Sequence, residues 1–148
     1  MNRSFWLLTL ILIATPAFAG APPAVRYDFS SVGREVKLES RQKMEAVLSP
    51  SAVLPAGPVT GSWVELQDPA GKVLYRVLVH DMLGRVQEAP AEDRQHLVNV
   101  EKKIPANSFW VKLPDLPNGK TVVLFASADD QSPATVVARF PVEAQPKK

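Results

Sequence analysis

Few residues in this 148-residue chain are of types that carry chemistry. The only histidines are His80, followed by Asp81, and His96. With a carboxylate they could bind a divalent metal, or one could serve a nucleophilic serine as a base. Their setting favours neither. His80 closes one strand-like run and His96 opens another beyond a long polar turn. The chain has no Gly-x-Ser-x-Gly turn and no His-Glu-x-x-His helix. Both therefore read as solvated loop histidines. Asp129-Asp130-Gln131 could hold calcium at the end of a β-domain, but the spaced Asp-x-Asp-x-Asp-Gly pattern is missing and a plain turn is the simpler reading. There are no cysteines, which removes thiolate metal sites, thiol nucleophiles and disulfides. No catalytic residue, no metal site and no cofactor is expected.

The aromatic residues offer a binding chemistry instead. If Val64 and Leu66 face a core, Trp63 faces outward with Glu65 and Gln67. If Phe109, Val111 and Leu113 face a core, Trp110 faces outward with Lys112. Two outward indoles could form a flat apolar surface for a glycan or a protein, with Trp63, Trp110, Glu65, Gln67 and Lys112 as the candidate binding residues. The plainer reading, and the preferred one, is that each indole packs under a loop or covers one end of the domain, for instance beneath the Pro-rich segment Ser49–Gly61.

Strands must position these residues. Ser62–His80 reads as a hairpin in which Val64 and Leu66, then Val73, Tyr75, Val77 and Val79, alternate with their neighbours. Asp68-Pro69-Ala70-Gly71-Lys72 connects the two runs: Asp bonds nearby backbone, Pro presets φ, and Gly supplies a positive φ. Alternation also marks Val25–Phe29, Val36–Glu39, His96–Glu101 and Ser108–Leu113, and further strands are expected at Arg85–Glu88 and Thr135–Phe140. Val98 and Val100 are the expected inward pair of their run. Met44–Leu48 leans to strand over helix. Thr121–Ala126 is nearly continuously apolar, as in a central strand covered on both faces. Turns are expected at Ser30–Gly33, Asp81–Gly84, Ala89–Gln95, Ile104–Asn107, Pro114–Gly119 and Asp129–Pro133. Prolines in Ser49–Gly61 exclude a regular element there. The sum is an all-β sandwich of about seven to nine antiparallel strands.

Leu113–Ala128, with Leu116-Pro117-Asn118-Gly119-Lys120-Thr121 at its centre, resembles the corner and following strand of fibronectin type III and immunoglobulin-like domains. The tyrosine such corners carry is replaced by Val122 and Val123. The resemblance implies an immunoglobulin-like sandwich and no particular activity.

Met1–Ala19 has the pattern of a signal peptide: Arg3, an apolar run from Phe5 to Ala14, the helix-breaking Pro16, and Ala17-Phe18-Ala19 before Gly20. Cleavage after Ala19 is expected. Gly20–Ala24 would then be a Pro-rich lead-in, residues 25–142 the sandwich, and Glu143–Lys148 a disordered tail. The net charge of +2 falls further when Arg3 is lost, so nucleic-acid binding is not expected. No later run is apolar enough to span a bilayer. The expected protein is a bacterial periplasmic or secreted, non-catalytic binding or interaction module. Its partner would be an envelope protein or, as the alternative, a glycan. A small hydrolase is the least favoured class.

Overall fold

The computed structural model describes residues 23–90, 96–101 and 106–143. The expected signal peptide, most of the lead-in, the tail beyond Glu143, residues 91–95 of the turn expected at Ala89–Gln95 and residues 104–105 of the break expected at Ile104–Asn107 lie outside these residues, whereas the described ends of that turn and that break, Ala89–Pro90 and Ala106–Asn107, are strand. Nine strands and no helix form among the described residues. Strands β1 (Pro23–Val32), β2 (Glu35–Glu45) and β7 (Ala106–Pro114) make a three-stranded sheet in the order β2-β1-β7. Strands β3 (Ser62–Gln67), β4 (Val73–Leu78), β8 (Thr121–Ala126) and β9 (Thr135–Pro141) make a four-stranded sheet in the order β4-β3-β8-β9. All pairings are antiparallel. The two sheets face each other as a sandwich.

Alternation builds the core between them. Val25, Tyr27 and Phe29 of β1, Leu38 of β2, and Val111 and Leu113 of β7 point inward from one sheet. Val64 and Leu66 of β3, with Val122, Leu124 and Ala126 of β8, meet them from the other. Phe29 is the aromatic centre. Its ring stacks on Tyr27 at 6.2 Å and Phe109 at 5.2 Å, and tilts against Phe140 of the opposite sheet at 5.6 Å. Burial, opposed by a hydrogen bond and charge from Arg41, raises the pKa of the Tyr27 hydroxyl above the usual phenol value.

The expected hairpin connection forms as read. Asp68 Oδ1 accepts from the backbone N–H of Ala70 and of Lys72, both at 2.9 Å, and Gly71 takes φ +82°.

Several boundaries differ from expectation. β1 begins at Pro23, inside the anticipated lead-in, and Ala24 is already buried. It also runs through Ser30 and Ser31 to Val32, so the turn falls at Gly33–Arg34. Both serines bond across space, Ser30 to Glu39 and Ser31 to the Met82 carbonyl, which offsets their turn preference. β2 continues unbroken to Glu45, and Ala46–Leu48 lies outside it. Val98 and Val100 are not an inward pair: they are 38% and 37% exposed. They lie on β6 (Leu97–Glu101), which pairs only with β5 (Val86–Pro90), apart from both sheets. Alternation records a two-sided strand, but not whether a core exists on either side.

The loop after β4 does more than end the hairpin. Met82 and Leu83 are buried and close one end of the core. The loop is tied by Asn107 Nδ2 donating to the Asp81 carbonyl at 2.9 Å and by Arg85 N–H donating to Asp81 Oδ1 at 2.9 Å. Gly84 holds φ +63°, and a Cβ there would stand 2.3 Å from the Ala106 carbonyl oxygen. Gly84→Ala is expected to cost upwards of about 2 kcal/mol, since left-handed backbone strain adds to a clash with main chain. Gly33→Ala, also at positive φ but in open space, is the matched control and should cost only the conformational part. Equal losses for the two in urea unfolding would show that the contact with Ala106 yields freely.

Candidate functional site

The histidines and the aspartate pair do not converge. His80 and His96 are exposed and sit in separate loops. Among the described residues no group of three or more His, Asp or Glu side chains is placed to hold a metal ion. Asp129 is engaged by its own turn: it accepts from the Gln131 and Ser132 N–H groups at 2.9 and 2.6 Å and from Ser132 Oγ at 2.8 Å. The Ser132 hydroxyl, followed by the two N–H groups, holds its carboxyl below the usual carboxylate range. Asp130 meets Arg85 at 3.4 Å.

Trp63 faces away from the core, as the alternation requires, yet it is only 6% exposed. Its ring stacks on Phe125 of β8 at 5.1 Å. Glu65, two residues on, is 4% exposed. Glu65 Oε1 accepts from Trp63 Nε1 at 3.1 Å and from Arg76 Nε and Nη2 at 2.9 and 2.7 Å, while Oε2 accepts from Gln67 Nε2 at 2.6 Å. The two guanidinium N–H groups converge on the one oxygen, and the ion pair completes a polar cluster on the outer face of the four-stranded sheet.

The cover is the Pro-rich segment. Beside β4, the Ala52 N–H donates to the Arg76 carbonyl at 2.9 Å, the Arg76 N–H donates to Ser51 Oγ at 3.0 Å, and Arg76 Nη1 reaches the Ala52 carbonyl at 3.3 Å. Beside β9, the Ala134 N–H donates to the Val59 carbonyl at 2.8 Å. β4 and β9 are the two edge strands of this sheet. The segment therefore passes from one edge to the other over the outer face. This accounts for the continuous apolar run in β8: Val123, the cross-strand partner of Glu65, is also fully buried. Trp63 and Glu65, named among the candidate binding residues, thus offer no contact surface, and for Trp63 the preferred reading of packing beneath a loop describes the structure. They are packing residues, and half-buried Gln67 serves the same cluster.

Trp110 is different. It lies on β7, on the outer face of the other sheet, and is 53% exposed. The two indoles stand on different sheets and form no common platform. Across from Trp110 on β1 is Asp28, and in the next row Arg26 is paired with Lys112. The Arg26 guanidinium lies 4.9 Å from the indole centroid and the Lys112 ammonium 5.5 Å from it. Arg26 Nε and Nη2 also meet Asp28 Oδ1 at 2.8 and 2.7 Å, and Ser40 of β2 donates to Asp28 Oδ2. Trp110 and Lys112 were legible as outward residues. Arg26, Asp28 and Ser40 were missed, although the alternation of β1 already put Arg26 and Asp28 opposite the core face. Nothing local indicated that β7 would lie beside β1.

The Ser40 hydrogen bond first, and Arg26 after it, keep the Asp28 carboxyl below the usual carboxylate range. A lowered carboxyl pKa contributes stability that is present above the ordinary value and lost as pH falls through the folded one. Ser40→Ala should move the Asp28 midpoint, followed by carboxyl NMR, back up toward the ordinary value. An unmoved midpoint would assign the shift to the guanidinium.

No family model matches this chain, and no curated protein or solved structure matches it either.

Proposed function

We propose that this chain is a non-catalytic binding module of the bacterial cell envelope that works through the outer face of its three-stranded sheet. The observation that carries this reading is Trp110: an indole left half in solvent, held by Arg26 and Lys112, on a face with no covering segment among the described residues. The four-stranded sheet, by contrast, has its own strap. Large aromatic and arginine side chains are the types that concentrate binding energy. The signal-peptide pattern of Met1–Ala19 supports export to the periplasm or beyond.

The test is site-directed photocrosslinking in the native envelope. A photoreactive residue replaces exposed Ser108, two positions from Trp110, and separately exposed Val53 on the strap as control. A specific adduct from position 108, absent from position 53 and lost with Trp110→Ala, is expected. Identical adduct patterns from both positions would remove the face from consideration.

A further inference from the structure

We infer that the Trp110 face is a saccharide subsite, and that the saccharide it takes carries a carboxylate. This rests on the binding-module reading and names its ligand class. The core of a protein interface clusters several apolar side chains, whereas Trp110 is the only exposed aromatic among the described residues. Its neighbours are Arg26 and Asp28 on β1, Ser40 and Gln42 across on β2, and Lys112.

One indole face and a surround of planar donors and acceptors match a pyranose ring, which has an apolar C–H face and a rim of hydroxyls. Arg26 and Lys112 occupy the same row of the sheet, and with both cations against the ring Trp110 still stands 53% exposed, which leaves indole surface to stack on. The ion pair with Asp28 fixes the guanidinium beside the ring, so a ligand meets a preorganised arrangement. Three strands span roughly 10 Å and two rows roughly 7 Å, the footprint of one or two sugar rings.

Charge selects among saccharides. Arg26 is already neutralised by Asp28. Lys112 has no carboxylate partner among the described residues, and its ammonium stands beside the stacking surface. A uronic acid ring places a carboxylate on the rim of a stacked pyranose and would complete that pair. Polyphosphate ligands fit poorly, because the chain carries almost no net positive charge.

The test is an amide NMR titration of the exported full chain with a short oligogalacturonate, beside a neutral oligoglucoside of equal length. The expected result is shifts at residues 26, 28, 110 and 112 with the acidic oligomer, and weaker binding of the neutral one. Trp110→Ala, at an exposed position, should weaken the acidic oligomer about tenfold or more. Lys112→Gln should abolish the preference for the acidic oligomer, so that the two oligomers bind alike. Equal affinity for both oligomers in the unmodified chain would overturn the carboxylate assignment. Absence of shifts on this face with either oligomer, alongside a specific protein adduct at position 108, would overturn the saccharide subsite and leave the binding module standing. Absence of both responses would overturn the two together.

Discussion

Glu65→Ala is expected to destabilise the domain by about 3–5 kcal/mol, because it leaves the largely buried Arg76 guanidinium without its carboxylate. Glu65 is buried and accepts from three side chains, so its loss also orphans Trp63 Nε1 and Gln67 Nε2. Small domains hold only about 5–15 kcal/mol in total, so a loss of this size is readily measured by urea unfolding. The same substitution should loosen the strap. Arg76 is the residue that anchors Ser51 and Ala52, through its N–H, its carbonyl and its guanidinium. Limited proteolysis should therefore cut within residues 53–58 faster in Glu65→Ala than in the unmodified chain. The double variant Glu65→Leu/Arg76→Met should recover part of the stability, since it removes the unpaired guanidinium but still leaves Trp63 Nε1 and Gln67 Nε2 without their acceptor. A loss under about 1 kcal/mol for Glu65→Ala would mean that water reaches this cluster and that the strap does not seal it.

Phe29→Ala should cost about 3–5 kcal/mol, the range for emptying a large aromatic site in a packed core. Phe29 contacts Tyr27 on its own strand, Phe109 on β7 and Phe140 on β9, so it joins the two sheets at one point. Three ring contacts would be lost together, each contributing beyond simple burial. Phe29→Leu keeps most of the volume and should cost about 1.5 kcal/mol or less. It provides the comparison if the alanine variant does not fold. Both losses should appear as a shift of the unfolding midpoint with an unchanged denaturant dependence. An alanine variant that loses less than about 2 kcal/mol would show that neighbouring side chains collapse into the space.

Neither the strap nor the aromatic junction is a local property, and this separates what could be read in advance from what could not. The hairpin of β3 and β4 was legible because its signals are contiguous: two alternating runs around Asp68 and Gly71. The double-sided burial of Thr121–Ala126 was legible for the same reason, since six nearly continuous apolar residues leave no face for water. Composition also excluded thiol chemistry outright.

The direction of each tryptophan followed from its strand's alternation as well. Their different fates did not. Trp63 and Trp110 both point away from the core, but a segment some ten residues earlier in the chain crosses over one of them and nothing among the described residues crosses the other. The packing of Met82 and Leu83 into the core, and the isolation of Val98 and Val100 on a two-stranded hairpin, are of the same kind. Side-chain period fixes which residues share a face, because that depends only on backbone geometry. What covers the face depends on contacts between distant parts of the chain, and these are settled only when the whole domain packs. The surroundings of Trp110 therefore emerged only from the tertiary structure, where the pairing of β1 with β7 set Arg26 and Asp28 beside an indole more than eighty positions away.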